Sequence, residues 1–339
     1  MKKSARTVSL FLLCILVNIL ILTVLPAMAA PYRVNIATAT TGGAYYPIGN
    51  AMAQIWSKKL SGKVRASAQA TAGTPQNIEL MMNKEVQLAI GQNGVCYYAF
   101  NAVESYKGMK GFPYKEMRGM FTLYPNVMQW VVRKGSGIES VSHMRGKRIV
   151  PGQVASATEI NSREMLEVYG LNYMKDKGEV SVRAEYLGYN EAGDQIKNGQ
   201  LDATHIAGGV PTAVVIDILS AEAGQLISME PDKVAEICKR YPWYFPFTIS
   251  AGTYPKQDKD VQTIALSNIL FTDAGQPDEL IYMLTKAIYE FHEELVLAHR
   301  AMAFTIEENA FKGMTLPLHP GAVKYFDERG IKIPDEIRP

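Results

Sequence analysis

The chain has 339 residues, 47% of them hydrophobic and 20% charged, with a formal net charge of +2. This is an ordinary globular composition, long enough for two domains or one large one and for a sizeable core. Charges of both signs are interleaved along the body, which gives no ground for nucleic acid as a partner.

The N-terminus carries the clearest signal. Lys2, Lys3 and Arg6 come first, and an apolar run follows from Val8 to Leu25, broken only by Ser9, Cys14, Asn18 and Thr23. Pro26-Ala27-Met28-Ala29-Ala30 comes next. A positive start, an apolar run and a small-x-small site read as an export signal over residues 1–29, cut between Ala29 and Ala30. The competing reading is an uncleaved anchor, because the run approaches the ~20 residues that span a bilayer. The small-residue site directly after the run favours removal. Cys14 follows Leu13, a poor lipoprotein site. Removal takes away three positive charges and no negative one, from +2 to −1 over the remaining 310 residues. Two cysteines then remain, Cys96 and Cys238. They could pair in an oxidising compartment, but they lie far apart and outside any CxxC, so two free thiols are the favoured reading.

The body alternates strands and helices. Strands are predicted at Arg33 to Thr38, Val64 to Ala70 and Val86 to Ile90, with helices starting near Tyr46-Pro47 and at Gly73-Thr74-Pro75. Met117 to Tyr124 and Gln129 to Val132 read as two strands around a Pro125-Asn126 break. Strands at Arg148 to Val150, Val180 to Tyr186 and Ala203 to Ile206 alternate with helices Ser156 to Tyr169, Glu191 to Asn198 and Pro211 to Ser220. Phe247 to Ala251 is extended. A strand at Val261 to Leu266 and helices Pro277 to Phe291 and Pro320 to Arg329 finish the chain. This rhythm implies α/β architecture with parallel sheets flanked by helices. Two α/β segments and a helical return suggest two lobes, crossed at Tyr124-Pro125-Asn126 and again near Trp243 to Ile249. The expected division is residues 30–125 plus 250–339 for one lobe and 126–249 for the other, with a hinge and a cleft between them.

In open α/β sheets, ligands gather where strands run into helices. Four such passages stand out. Thr41-Gly42-Gly43-Ala44-Tyr45-Tyr46 allows close backbone approach and offers helix N–H groups to an anion, though it also suits a plain turn. Gln92-Asn93-Gly94 supplies uncharged amides, or an ordinary polar turn. Ala155-Ser156-Ala157-Thr158-Glu159 holds a helix cap, which does not exclude anion binding by the same amides. Gly208-Gly209-Val210-Pro211 is the fourth. No HExxH, GxSxG, GxGxxG or P-loop pattern occurs, and the five histidines are scattered. His292 and His299 could share a helical face, but two histidines make a weak metal site. Neither a metal nor a cofactor is expected, and the chain does not read as an enzyme.

Several segments together resemble the TAXI-type solute receptors of TRAP transporters. Thr41 to Gly49 (TGGAYYPIG) looks like that family's TGGxYYPxG opening, and Thr71 to Asn77 is similar to its ATxGSxxN turn. Leu123-Tyr124-Pro125, Gly137-Ile138 with Gly146-Lys147-Arg148, and Asn198 to Ala203 match further pieces. Ala251 to Tyr254 (AGTY) and Pro317 to Ala322 (PLHPGA) complete the series, which spans roughly Val34 to Gly330. Each piece is weak; their order and spacing are specific. The resemblance implies a two-lobed periplasmic-binding-protein fold (type II) with two chain crossings at a hinge. It implies a periplasmic receptor that hands a small molecule to a sodium-driven membrane permease. Some members bind glutamate or related dicarboxylates. The implied site is Thr41, Gly42, Gly43, Tyr45, Gln92, Asn93, Tyr124, Asn126, Ser156, Ala157, Thr158, Glu159, Gly209 and Val210.

This sequence departs from the family pattern at three places. Ala155 to Glu159 replaces GSGTE, bringing two methyl groups toward the ligand. Asn126 stands where the family often has Glu, and Gln92-Asn93-Gly94 where it more often has Gln-Ser-Asp. Fewer acids favour a small carboxylate without an amino group, held by backbone amides and hydroxyls. Two other readings remain: a ligand sensor for a membrane kinase, and an exported enzyme on the same scaffold, for which Glu159, Thr158 and Tyr45 would be the first suspects.

Overall fold

The computed structural model describes residues 30–339; the expected export signal over 1–29 lies outside them. Strand β1 (Tyr32–Ala37) leads to α1 (Tyr45–Lys59), β2 (Val64–Gln69) to α2 (Thr74–Met82), and β3 (Leu88–Gln92) runs straight into α3 (Asn93–Asn101). After β4 (Met117–Arg133) come β5 (Arg148–Val150), α4 (Ala157–Val168), β6 (Arg183–Ala184), α5 (Tyr189–Lys197), β7 (Ala203–Gly208) and α6 (Ala213–Ser220). Then follow β8 (Gly224–Leu226), α7 (Pro231–Arg240), β9 (Phe245–Ile249), β10 (Val261–Asp273), α8 (Asp278–Glu290), α9 (His292–Ala298) and α10 (Pro320–Glu328).

All ten strands join one sheet in the order β2-β1-β3-β10-β4-β7-β5-β6, with β8 on β4 and β9 on β10. The flanking pairs β1–β2, β1–β3, β5–β6 and β5–β7 are parallel, as alternating strands and helices require. The long central strands β4 and β10 are antiparallel and tie the two flanks together.

The strand break expected at Pro125 is absent: β4 runs through it for 17 residues. Pro125 lies opposite Ser267 of β10, while pairing with β7 on the other side begins only at Val127. The proline therefore sits where that edge of β4 has no ladder to break. The strand expected over Val180 to Tyr186 shrinks to Arg183–Ala184, at the outer edge of the sheet. Three helices have no specific counterpart in the sequence reading: α3, α7 and the short α9. Gln92-Asn93-Gly94, expected as a loop, is the end of β3 and the first turn of α3. The signals for α7 were present, with Pro231 at its start, Lys239 and Arg240 in its last turn, and Val234 and Ile237 buried.

The core divides in the middle of both long strands. Leu123 and Tyr124 of β4 and Ile269 and Leu270 of β10 pack with the elements from β1 to α3 and with the C-terminal helices. Trp56 of α1 anchors this part: it is fully buried and its indole donates to the Leu284 carbonyl of α8 at 2.9 Å. Val127, Met128, Ala265 and Leu266 belong instead to two clusters on the second half's strands and helices. The chain thus returns to the first half along β10, between Leu266 and Ile269. The Trp243 to Ile249 segment, expected to carry that return, leads into β9, whose residues pair with Val261 to Ala265. Its extended, partly exposed aromatics gave the impression of a crossing because an edge strand and a hinge strand look alike in sequence.

Candidate functional site

Where the halves meet, five strand-to-helix passages converge on a cleft of about 470 Å³ of atom-free space that opens to solvent. From the first half it is bordered by Ala39, Thr40, Gly43, Ala44 and Tyr45 at the start of α1, by Ala72, Gly73 and Thr74 at the start of α2, and by Gln92 at the start of α3. The second half contributes Gln153, Ser156, Ala157 and Thr158 at the start of α4, Leu187, Gly188 and Tyr189 at the start of α5, and Ala207 of β7. Asn126 of β4 lies between them. No Asp, Glu, Lys, Arg or His is among these residues.

Five helices of nine residues or more therefore present their N-terminal ends to one space. Each end carries roughly half a positive charge from its unpaired amides. At α1, α2 and α3 the N-cap residues Ala44, Gly73 and Gln92 make no side-chain capping bond. Gly73 reaches its position with φ +112°, a conformation closed to most side chains. At α4, Ser156 Oγ accepts from the Glu159 amide at 3.2 Å, so the expected cap is present.

The polar side chains at the cleft are neutral. The Tyr189 hydroxyl meets Thr158 Oγ1 at 2.7 Å, donates to the Ala207 carbonyl at 2.9 Å and accepts from the Ala207 amide at 3.1 Å. The Tyr45 hydroxyl donates to Asn268 Oδ1 of β10. Burial raises the pKa of both phenols above its ordinary value, which keeps their protons on. Asn126 is 1% exposed, yet neither its Oδ1 nor its Nδ2 has a hydrogen-bond partner in the protein. Gln92 Oε1 and Gln153 Oε1 are buried in the same condition.

The fourteen residues expected from the sequence separate by position. Gly43, Tyr45, Gln92, Asn126, Ser156, Ala157 and Thr158 border the cleft. Thr41, Gly42, Asn93, Tyr124, Glu159, Gly209 and Val210 do not. Gly42 lies against the other half: a Cβ there would come within 2.2 Å of Asn190 Oδ1 and 3.3 Å of Tyr189 Cβ. Asn93 turns away to donate to the Gly313 carbonyl at 2.9 Å. Tyr124 is fully buried, with Gly209 against its ring and His299 stacked at 6.3 Å. The Glu159 carboxylate accepts from Tyr173 at 2.8 Å and pairs with Arg163 at 3.0 Å, away from Thr158 and Tyr45. Of the two alanines expected to crowd the ligand, Ala157 borders the cleft and Ala155 is exposed to solvent, on a backbone with φ +57°.

Gly73, Thr74, Gln153, Gly188 and Tyr189 border the cleft and were missed. Gly188 before a helix carries the same signal as Gly42-Gly43, a glycine between strand and helix, and the weak edge strand before it hid the passage. The histidines do not gather: His292 Nε2 lies 2.7 Å from the Met302 carbonyl, and His299 Nδ1 accepts from the Ala301 amide. Burial pushes His205 down to about 3, leaving it neutral beside Ser162 Oγ at 2.8 Å. Cys96 and Cys238 are unpaired. Among the described residues no helix is long and apolar enough to cross a membrane.

A solved structure shares this architecture. The chain is similar to MatC from Rhodopseudomonas palustris with bound malate, at 13% identity over 80% of this chain and 89% of that one, with a TM-score of 0.54. It is also similar to the periplasmic aliphatic sulphonate binding protein SsuA from Escherichia coli, at 16% identity over 88% and 83% of the two chains, with a TM-score of 0.49. The fold expected from the sequence, that of a two-lobed periplasmic binding protein, is the fold found, and MatC shares it. Residues 36–330 match the NMT1-like family, and the chain belongs to that family.

Proposed function

We propose that the protein is an exported solute-binding receptor that captures a small organic acid in the cleft between its halves and delivers it to the membrane permease of a TRAP transporter of the TAXI type. The observation that carries this reading is the convergence of five helix N-termini from both halves on one space without an ionised side chain. An anion there meets amide donors on all sides and no competing carboxylate. Binding sites of this size are commonly ~300–1,000 Å³, lined by apolar groups with a few placed polar ones.

In this reading the halves are lobes. A ligand on the first lobe's helix ends gains the second lobe's helix ends only when the cleft is closed, so it favours closure by the difference. The approach of Gly42 to Asn190 across the cleft suits a closed state. The permease would then read closure. Residues 1–29 act as a removable signal and the mature chain works in the periplasm. The test is native mass spectrometry of protein purified from its exporting host without refolding. A small acidic adduct released on activation supports the reading. If the bare protein then shows no thermal stabilisation by mono- or dicarboxylates, the reading fails.

A further inference from the structure

The helix ends explain how an anionic group is held, but not the carboxamides beside them. Asn126 offers one donor and one acceptor, both buried and unpaired, and swapping its Oδ1 and Nδ2 leaves the same pair of needs. Gln92, 2% exposed, presents a buried Oε1 that accepts nothing. Both residues border the cleft. A buried polar atom left unpaired is costly, so the ligand that binds best is the one that pairs these atoms.

A carboxylate only accepts hydrogen bonds. A second carboxylate on the ligand would satisfy the Asn126 donor and leave the carbonyl oxygens of Asn126 and Gln92 facing negative oxygen. An ammonium would donate to both carbonyls, but it would sit among five positive helix ends with no acid lining the cleft to balance it. A hydroxyl donates and accepts without charge and matches a carboxamide on both counts.

Resting on the receptor reading above, we propose that the ligand is a small hydroxylated monocarboxylate, with its hydroxyl recognised by Asn126 and Gln92 as the specificity-determining residues. The carboxylate lies at the helix ends, and the hydroxyl accepts from the Asn126 donor and gives its one proton to a carboxamide oxygen. Asn126 occupies a position of β4 just where the core changes from one half to the other, so a ligand that engages it touches the junction between the halves.

The test uses the purified protein and four three-carbon acids that differ in one group: propionate, lactate, alanine and malonate. Titration calorimetry should rank lactate tightest, by about tenfold or more over propionate, the worth of one or two hydrogen bonds to buried partners. Gln92→Leu, which removes one of the two partners, should lower the lactate-to-propionate ratio severalfold, whatever its effect on the affinity for either acid alone. Tightest binding by malonate or alanine overturns the hydroxyl assignment and leaves the anion receptor standing. An unchanged ratio in Gln92→Leu overturns the role of Gln92. If none of the four binds at millimolar concentration and a wider carboxylate series also fails, the receptor reading falls with it.

Discussion

The Tyr45 hydroxyl, at the first turn of α1, donates to Asn268 Oδ1 in the middle of β10. Asn268 is fully buried and lies opposite Gln92 on one neighbouring strand and Tyr124 on the other. The bond therefore fastens a cleft-lining helix to the strand along which the chain returns from the second half. Replacing Tyr45 by Phe keeps the ring and leaves a buried carbonyl unpaired. The expected loss of stability is about 1–3 kcal/mol. Urea unfolding reads it directly, and a midpoint unchanged from wild type would show that the bond contributes nothing net.

A second bond network spans the halves beside the cleft. Glu164 of α4 accepts from Tyr98 of α3 at 2.6 Å and from Tyr244, which also accepts from Asn161 at 2.7 Å. Trp243 stands edge-on to Tyr98 at 5.0 Å. Burial pushes Glu164 up to about 7, against lowering by the two tyrosines, Asn161 and Arg163. Glu104, Glu167 and Tyr241 border the same region. The folded protein thus holds this proton more tightly than the unfolded chain, whose glutamate titrates near 4.5. The stabilisation is fully present below pH 4.5 and is lost as pH rises through about 7. Its size is about 3 kcal/mol. Thermal unfolding of wild type against Glu164→Gln over pH 5 to 8 checks it: the gap between the two should widen toward pH 8 in favour of the variant. A pH-independent gap would refute the assignment.

Gly42 tests closure. A side chain there collides with Asn190 and Tyr189 of the other half. Gly42→Val should therefore lower ligand affinity by about tenfold or more, while stability without ligand falls by no more than about 1 kcal/mol. Because Asn190 meets the new side chain with its flexible end, Gly42→Val combined with Asn190→Ala should recover part of the affinity. An equal loss of stability and affinity would make Gly42 a packing position instead.

Much of the scaffold was legible because its cause is local. Ile48, Met52, Ile55 and Trp56 repeat at helical spacing and all are buried on α1. Gly43, Tyr45 and the Ser156 to Thr158 turn stood out because a glycine or a cap between strand and helix leaves a composition mark. What escaped depended on partners distant in sequence. Pro125 reads as a break in sequence, but β10 pairs beside it and the pairing of β4 with β7 starts only at Val127. Glu159 looked available for chemistry, but Tyr173 and Arg163 hold its carboxylate elsewhere. Tyr189 reaches the cleft from a passage whose strand is only two residues long. Tyr124, inferred from resemblance, lies beneath the cleft wall rather than on it, because Gly209 admits its ring into the core.

The cleft itself is tested most directly by filling it. Ala157 is 4% exposed and borders the cleft at the first turn of α4. Leucine there occupies ligand space, at a folding cost of about 1–3 kcal/mol. Titrating the best-binding carboxylate into wild type and Ala157→Leu, with circular dichroism to confirm that the variant is folded, decides the matter. A ligand held in this cleft binds about a hundredfold more weakly, or not at all, in the folded variant. Binding at the wild-type affinity would place the ligand outside the cleft.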